Sequence, residues 1–398
     1  MHITAIVCEY NPMHNGHVYH IERTRELGST HIVAIMSSNF VQRGEPAIIS
    51  KEARTKMALS CGVDLVLELP SVWSMSTAER FAYSSIYILD KLNVIDSLSF
   101  GSEEGNIDNL VEIADFLNLD SCLDKIKNFM KLGISFASSR EMVIKEVMGE
   151  EYSTLISKPN NILAIEYIKA LKKLDSNIKP MAIKRQGAEH DSDLEINSFL
   201  SAKQIRQYIN DKNYSLERFL PKAVLDIINQ EVCDGKAPSS IYNLERAILY
   251  KLRSASKDEI RNIFDVSEGL ENRILSAAAR SKSLDELYEN IKSKRYSLAR
   301  IRRVVMSSLL GINKQLVNLK PQYVRVLGFN SKGLEILKLA KDKSKIPIVT
   351  KASDMKSLNK DANLVFRSEM LAGDIYNLTL PKVFPCSYEA TRKIIKFD

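Results

Sequence analysis

The sequence is poor in cysteine, has a single tryptophan and contains no long hydrophobic run. Its five cysteines are odd in number, far apart and never paired as CxxC: Cys8, Cys61, Cys122, Cys233 and Cys386. This spacing argues against a disulfide framework or a cysteine zinc site, and it favours a reducing cytosol. No apolar run reaches about 18 residues, so we expect no membrane span. The first residues enter an apolar run without the basic region of a signal peptide, which predicts a cytoplasmic protein.

The length of the chain limits the number of its domains, and its net charge bears on the kind of partner it can bind. At 398 residues the chain is too long for one typical domain and suits two or three. Apolar residues make up 45% and charged residues 26%, which lets each domain bury a core. The formal net charge of +7 permits a polyanionic partner without requiring one, because many enzymes carry such a surplus on a solvated surface.

Apolar runs alternate with helical stretches in the first half of the chain. Residues 3–8 and 31–36 are short apolar runs that flank a polar turn and a helical stretch over 18–27. This order is a βαβ unit, which builds a parallel sheet whose ligands collect at the carboxyl ends of the strands. Further helices are predicted at 51–61, 77–92 and most of 107–150, and further strands at 64–69, 97–100 and 180–184.

The pattern changes twice along the chain, which suggests three successive parts. We expect an α/β domain over residues 1–212, closed by a helix over 201–209 with Ser201 as its N-cap. Residues 213–320 have few glycines or prolines and are predicted to be helical. Residues 321–398 return to α/β character, with two strand-like runs around a helix, and are expected to form a small C-terminal domain.

The sequence His14-Asn15-Gly16-His17 follows the first predicted strand and its turn. Two imidazoles flanking a glycine can donate hydrogen bonds to phosphate oxygens as charge builds there. The glycine lets the backbone approach the phosphates closely, and the following helix presents its N-terminal amides to an anion. The motif alone would fit equally a turn with two surface histidines. Its position between the first strand and the first helix favours a triphosphate site.

The segment from Val7 to His20, VCEYNPMHNGHVYH, resembles the opening of the HxGH nucleotidylyltransferase superfamily. A second segment, SAKQIR at residues 201–206, is similar to the later signature of that superfamily, with Lys203 where a hydroxyl residue is usual. One branch, the bacterial tRNA(Met) cytidine acetate ligases, matches further. This resemblance rests on stretches spread over the chain: 39–47 (NFVQRGEPA), 100–103, 159–163, Lys184 and Arg185 with Gly187, and 296–312.

The resemblance implies a Rossmann-like fold and a two-step reaction. Members of the branch use ATP and acetate to make N4-acetylcytidine at the wobble position of elongator tRNA(Met), releasing AMP and pyrophosphate. His14 and His17 would be catalytic, and Mg²⁺ would accompany ATP. The resemblance leaves open which of Asn160 and Asn161 contacts the nucleotide. The predicted ATP-binding residues are Val7, Cys8, Glu9, Tyr10, Asn11, Pro12, Met13, His14, Asn15, Gly16, His17, Val18, Tyr19, His20, Gly101, Asn160, Asn161, Arg185, Ser201 and Arg206.

Basic residues outside these motifs give two further expectations. Arg43 and Arg54 could be ordinary surface charges, but the glycine and helix near them favour contacts with phosphate. The stretch 292–303 has six basic residues and no acidic one. Such a segment can follow an RNA backbone and stack an aromatic ring on a base, although a solvated helix face would have the same composition. The predicted tRNA-binding residues are Arg295, Tyr296, Arg300, Arg302 and Arg303.

Two other functions fit the same opening motif. A small-molecule adenylyltransferase would share the HxGH turn, but it would not need the helical middle or the α/β tail. A nucleotide-sensing RNA-binding module would bind ATP without turnover, which the intact His14 and His17 argue against. The sequence identifies no general base for the cytidine amine, no acetate pocket and no oligomeric state.

Overall fold

The computed structural model describes residues 1–185, 200–211, 216–267 and 269–398; Gly187 and the predicted boundary at residue 212 lie outside these ranges. Its strands are β1 (Ile3–Cys8), β2 (His31–Ser37), β3 (Phe40–Val41), β4 (Glu45–Pro46), β5 (Leu65–Leu69), β6 (Ser97–Ser102), β7 (Lys179–Lys184), β8 (Val324–Phe329), β9 (Ile348–Val349) and β10 (Ile395–Lys396).

The helices begin and end as follows. They are α1 (Asn15–Glu26), α2 (Lys51–Ser60), α3 (Ser71–Ser74), α4 (Ala78–Leu92), α5 (Ile107–Leu117), α6 (Asp120–Lys131), α7 (Phe136–Met148), α8 (Glu150–Ser157), α9 (Pro159–Lys173), α10 (Ala202–Asn210), α11 (Lys222–Cys233), α12 (Glu245–Ser254), α13 (Lys257–Arg261), α14 (Leu270–Arg280), α15 (Leu284–Ile291), α16 (Leu298–Leu310), α17 (Lys314–Asn318), α18 (Ser331–Lys343), α19 (Lys360–Asn377) and α20 (Tyr388–Thr391). Short 3-10 helices lie at Leu216–Arg218, Ile241–Leu244 and Ala352–Ser357.

Most strands form one mixed sheet in the order β10, β8, β5, β2, β1, β6 and β7, with β9 beside β8. β1 pairs parallel with both β2 and β6, so the first strand is central. Every residue of β2 and β5 is buried, as expected of parallel strands covered on both faces. The Rossmann-like α/β fold predicted from the sequence is confirmed, and the strands predicted at 3–8, 31–36 and 64–69 are found within one residue of their expected ends.

Polar side chains cap the helices that surround the sheet. Ser50, Thr77 and Ser201 each accept a hydrogen bond from a backbone N–H in the first turn of α2, α4 and α10, respectively. Such a cap satisfies a donor that has no partner within the helix and contributes about 1 kcal/mol. Ser201 forms a capping box with Gln204, so the predicted N-cap is confirmed. None of the described helices combines the length and the apolar composition needed to cross a membrane.

The C-terminal part of the chain extends the sheet of the N-terminal part. β8 pairs antiparallel with β5, and β10 pairs parallel with β8 on its other side. α18 packs closely against this junction: a Cβ on Gly333 would lie 2.0 Å from the carbonyl oxygen of Asp64. The division into three domains stays a prediction, but residues 321–398 share a hydrogen-bonded sheet with residues 1–212.

A buried cluster of charges lies where the tail meets the sheet. Lys51 Nζ lies 2.5 Å from Glu68 Oε1 and 2.6 Å from Glu389 Oε1, and it also lies 3.4 Å from Glu369 Oε1. Arg325 Nη1 pairs with Glu389 Oε2 at 2.6 Å. Burial opposes the charge on Lys51, but the carboxylates outweigh this effect and raise its pKa. Burial also opposes the charge on Glu68, yet Lys51 and Arg325 lower its pKa to about 2. These pairs tie α19 and α20 to the sheet.

Candidate active site

A cleft opens at the carboxyl ends of β1, β6 and β7, where the start of α1 meets the start of α10. Its volume is about 440 Å³, within the range of small-molecule sites. The lining combines histidines and basic residues with an apolar group formed by Phe81, Phe100, Ile162 and Leu163. This is the edge at which sheets of this kind bind ligands.

His14 and His17 form a stacked pair at the start of α1. Their ring centroids lie 3.8 Å apart with an interplanar angle of 29°. The Gly16 N–H donates to His14 Nδ1 at 3.1 Å, and the His14 N–H donates to His17 Nδ1 at 3.2 Å. Because an Nδ1 that accepts a hydrogen bond carries no proton, each neutral ring has its proton on Nε2. The turn therefore presents two Nε2–H donors, which suit phosphate oxygens.

Burial favours the neutral form of the rings of α1 that line the cleft. It lowers the pKa of His17 well below the usual value, and the neighbouring His14, Arg185 and His20 lower it further. Burial also lowers the pKa of His20 to about 4, with Arg185 as the second cause. His20 Nε2 lies 2.8 Å from Ser99 Oγ. At neutral pH His17 and His20 are therefore polar groups without charge.

A second wall is built from β6, β7 and the start of α9. The Arg185 side chain packs over Gly101, where a Cβ would lie 3.4 Å from Arg185 Cγ. Arg185 Nη1 donates to Asn160 Oδ1 at 3.5 Å, and Asn160 Nδ2 donates to Glu103 Oε1 at 2.5 Å. Asn161 is fully buried, and its Oδ1 accepts the Glu103 N–H at 2.9 Å. Asn160 thus faces the cleft, while Asn161 holds the β6–α5 turn.

The start of α10 forms a third wall. The Ser201 hydroxyl caps this helix by accepting the Gln204 N–H at 3.3 Å. Lys203 and Arg206 also line the cleft, and Arg206 Nη1 donates to the carbonyl oxygen of Asn11 at 2.9 Å. A helix N-terminus and two cationic side chains therefore share one cavity with the histidine pair, an arrangement that favours a polyanion.

Comparisons with known proteins agree with this geometry. The chain matches the HIGH Nucleotidyl Transferase family over residues 1–390. It is 43% identical over 386 residues to the tRNA(Met) cytidine acetate ligase of Thermoanaerobacter sp. (strain X514), covering 95% of each chain. It is 44% identical over 386 residues to the same enzyme of Caldanaerobacter subterraneus subsp. tengcongensis, again covering 95% of each. The chain belongs to the tRNA(Met) cytidine acetate ligase family.

Solved structures support this assignment over the full length of the ligase. The crystal structure of apo Thermotoga maritima TmcAL (form I) matches with a TM-score of 0.95 and 34% identity, covering 100% of both chains. The structure of Thermotoga maritima TmcAL bound with alpha-thio ATP matches with a TM-score of 0.93 and 33% identity, again over 100% of both chains. The chain is thus a ligase of the HIGH nucleotidyl transferase type.

Most of the predicted ATP-binding residues of this ligase line the cleft. They are Val7, Cys8, Glu9, Tyr10, Asn11, His14, Gly16, His17, Tyr19, His20, Gly101, Asn160, Arg185, Ser201 and Arg206. The others, Pro12, Met13, Asn15, Val18 and Asn161, lie outside the lining. Met13 is fully buried, and Asn15 Nδ2 donates to the carbonyl oxygen of Arg218 at 3.0 Å. Contact with ATP stays a prediction for all of them, and the geometry favours Asn160 over Asn161.

The two arginines expected at a phosphate lie in different places. Arg43 lines the cleft. Arg54 is fully buried behind it, and its guanidinium donates to the carbonyl oxygens of Glu9 at 2.7 Å, Ser37 at 3.0 Å and Ile49 at 3.2 Å. The prediction of a phosphate contact for Arg54 is wrong, because its donors are used by the backbone at the ends of β1 and β2.

Some lining residues of the ligase were not singled out from the sequence. Phe81 and Tyr167 are two of them, and the ring centroid of Tyr167, on α9, lies 5.9 Å from that of Phe100. Aromatic residues at helical spacing look the same whether they face a core or a cleft. Gln42, by contrast, lies within the segment 39–47 that carries the family resemblance. Among the described residues, no group of three or more His, Cys, Asp or Glu side chains could hold a metal ion.

The predicted tRNA-binding segment leads into α16, and its basic residues differ in their surroundings. Arg295 is exposed. Arg300 Nε and Arg303 Nη2 pair with the Asp265 carboxylate at 3.3 and 3.0 Å. These two guanidiniums therefore hold α16 against the loop at Asp265. Contact with tRNA stays a prediction for each residue.

The other two residues of the prediction, Tyr296 and Arg302, also contact other parts of the protein. Tyr296 is only 6% exposed, too little for its ring to stack on a base without rearrangement. Arg302 Nη1 lies 2.5 Å from Glu45 Oε1, and Glu45 lines the cleft. A Cβ on the adjacent Gly44 would lie 2.4 Å from the backbone nitrogen of Arg303, so the β3–β4 hairpin touches α16 directly. The segment is thus joined to the active-site cleft.

Proposed function

We propose that this ligase uses ATP to activate acetate as acetyl-adenylate and then acetylates N4 of the wobble cytidine of elongator tRNA(Met). AMP and pyrophosphate are the other products. The observation that carries the proposal is the pair of Nε2–H donors of His14 and His17, set beside cationic side chains in one cleft of a chain that belongs to this family. We place the enzyme in the cytoplasm, where its tRNA is.

In the first step an oxygen of the acetate carboxylate attacks the α-phosphorus of ATP, and the bond to the β-phosphate breaks. His14 and His17 donate through Nε2–H to the phosphate oxygens, on which negative charge builds. Arg185, Arg206 and Lys203 bind the departing pyrophosphate. Donors fixed in place before the reaction lower its barrier, because they need no reorientation as the charge develops.

Mg²⁺ is expected to accompany the nucleotide. The carboxylates among the described lining residues are Glu9 and Glu45, and Glu45 pairs with Arg302. This set is too small for an all-protein magnesium cage. Mg²⁺ is commonly held through substrate phosphates and water, and it neutralises phosphate charge when bound.

In the second step the cytidine amine attacks the acetyl carbon. Free acetate is a poor acyl donor, whereas acetyl-adenylate is a mixed anhydride with AMP as a good leaving group. The amine itself is a weak nucleophile, because its lone pair is delocalised into the pyrimidine ring. The base must leave the stack of the anticodon loop to enter the cleft. Exposed basic residues such as Arg295 are suited to hold the RNA backbone.

The test is incubation with labelled acetate, ATP and unmodified tRNA(Met), followed by digestion of the RNA. Label in acetylcytidine supports the proposal. Transfer of AMP to a small metabolite without label in RNA would support an adenylyltransferase instead. ATP binding without turnover would support a sensing module.

We expect His17→Ala to keep the fold and to lose labelling by about 100-fold or more, since one donor to the developing charge is removed. Thermal melting of the variant checks the fold. Full activity in a folded His17→Ala protein would contradict the phosphate role.

A further inference from the structure

One carboxylate of the cleft carries a charge that is unsuited to phosphate. Glu9 directly follows β1 and lines the same cavity as the histidine pair. A carboxylate repels phosphate, so the ATP contact predicted for Glu9 from the sequence does not explain its negative charge. Building on the proposed function, we propose that Glu9 is the catalytic base that accepts the proton of the cytidine N4 amine during acetyl transfer.

The position of Glu9 is fixed by two backbone contacts. The Gln42 N–H, on the β3–β4 hairpin, donates to Glu9 Oε1 at 2.8 Å. Arg54 Nη1 donates to the carbonyl oxygen of Glu9 at 2.7 Å, which holds the main chain at the end of β1. The hairpin therefore orients the carboxylate through one oxygen, and Oε2 is the atom that takes the proton. A base fixed in this way needs no reorganisation when the amine arrives.

The other titratable groups of the cleft are less suited to this task. His14 and His17 accept backbone N–H groups at Nδ1, so they act as donors through Nε2. His20 Nε2 lies 2.8 Å from Ser99 Oγ, and burial makes this ring a weak base. Glu45 pairs with an arginine of α16. Glu9 is the other carboxylate among the described lining residues, and it forms no salt bridge with a described residue.

The surroundings of the Glu9 carboxylate make it a stronger base. Arg43 faces it from the hairpin, Arg54 from α2, Arg206 from α10, and the Tyr167 phenol from α9. Burial raises the pKa of Glu9, while the Gln42 N–H and the three arginines oppose the rise. A carboxylate with a raised pKa is a stronger base than one in water, and it can release its proton again at neutral pH.

The chemical step balances without another reagent. The N4 lone pair forms a C–N bond to the acetyl carbon, and the C–O bond to AMP breaks with its electron pair going to the phosphate oxygen. One N4 proton passes to Glu9 Oε2, and water later removes it. Carboxylates also recognise this amine in other settings, since Glu and Asp accept hydrogen bonds from cytosine N4.

The experiment separates the two half-reactions. Acetate-dependent exchange between ATP and labelled pyrophosphate reports activation, and single-turnover labelling of tRNA(Met) reports transfer. For Glu9→Gln we expect transfer reduced by about 100-fold or more, and a far smaller loss of exchange. Wild-type transfer should rise with pH through the ionisation of Glu9, and the residual transfer of Glu9→Gln should not. Glu9→Asp, which keeps a carboxylate, should recover part of the transfer.

A control variant and the remaining outcomes distinguish a catalytic base from a nucleotide-binding residue. Glu26→Gln, an exposed carboxylate at the end of α1, should match the wild type in both assays. Parallel loss of exchange and transfer in Glu9→Gln, or an increased KM for ATP with an unchanged ratio of the two rates, would place Glu9 in nucleotide binding and overturn the proposal. Unchanged transfer would overturn it as well. If the wild type shows no acetate-dependent exchange and no labelled RNA, the proposed function itself fails.

Discussion

Acidification should destabilise this ligase through His20, and the substitution His20→Gln should remove this contribution. Burial lowers the pKa of His20 from 6.5 to about 4 in the folded protein. Between these two pH values the unfolded chain binds a proton that the folded chain does not, so stability rises with pH across the window. The shift is about 2.5 pH units at about 1.4 kcal/mol each, or roughly 3–4 kcal/mol in full. About 3 kcal/mol of this is lost between pH 7 and pH 4, where half of the folded chains have bound the proton. This stability is present above pH 6.5 and lost as the pH falls toward 4.

The assay is urea unfolding of ATP-free wild type and His20→Gln at a series of pH values from 7.5 to 4.5. We expect the free energy of unfolding to fall more steeply with decreasing pH in the wild type than in His20→Gln. A constant difference in stability between the two proteins does not affect this comparison of slopes. Ser99→Ala is the matched control, because it removes the hydroxyl partner of His20 and leaves the buried ring in place. His17 contributes a slope of the same sign in all three proteins. Parallel curves for wild type and His20→Gln would refute the reasoning.

Two further predictions concern the buried cluster and the basic segment. Lys51→Met should destabilise the protein by about 3–5 kcal/mol, because it leaves Glu68 and Glu389 buried without the lysine that pairs with them. Urea unfolding measures this loss, and a loss under about 1 kcal/mol would contradict the prediction. Arg295→Ala should weaken tRNA binding and reduce its salt dependence without changing acetate-dependent exchange, whereas Arg302→Ala should also slow transfer from bound tRNA. Filter binding at several salt concentrations measures the first effect, and single-turnover labelling measures the second.

The sequence predicted the N-terminal sheet well because its signals are local. Each βαβ unit sets apolar strands and a helix close together in the chain, so periodicity finds them without knowledge of the partners. The HxGH turn is equally local: Gly16 and the two histidines form their hydrogen bonds within four residues. The segment over residues 7–20 therefore carries both the fold of the turn and most of one wall of the cleft.

The contacts that the sequence did not predict are long-range. Strand-like residues over 324–329 indicate a strand, but they do not indicate that it pairs antiparallel with β5. Lys51 and Arg54 lie on one face of α2, and their residue types predict exposure. Both are buried instead, Lys51 because Glu68, Glu369 and Glu389 converge on it from elsewhere in the chain. Such convergence depends on packing that local periodicity does not encode.

The basic segment and the catalytic cleft are mechanically connected, which is why Arg302 should differ from Arg295. The β3–β4 hairpin presents the Gln42 N–H to the Glu9 carboxylate, and Arg302 holds the same hairpin through Glu45. Loss of that pair frees the hairpin at a point three residues from Gln42, so the carboxylate loses part of its orientation. Arg295 is exposed and has no such contact with the hairpin among the described residues, so its loss should change only how the RNA is held. Equal transfer rates from saturating tRNA in the Arg302→Ala and Arg295→Ala proteins would show that the connection is not used.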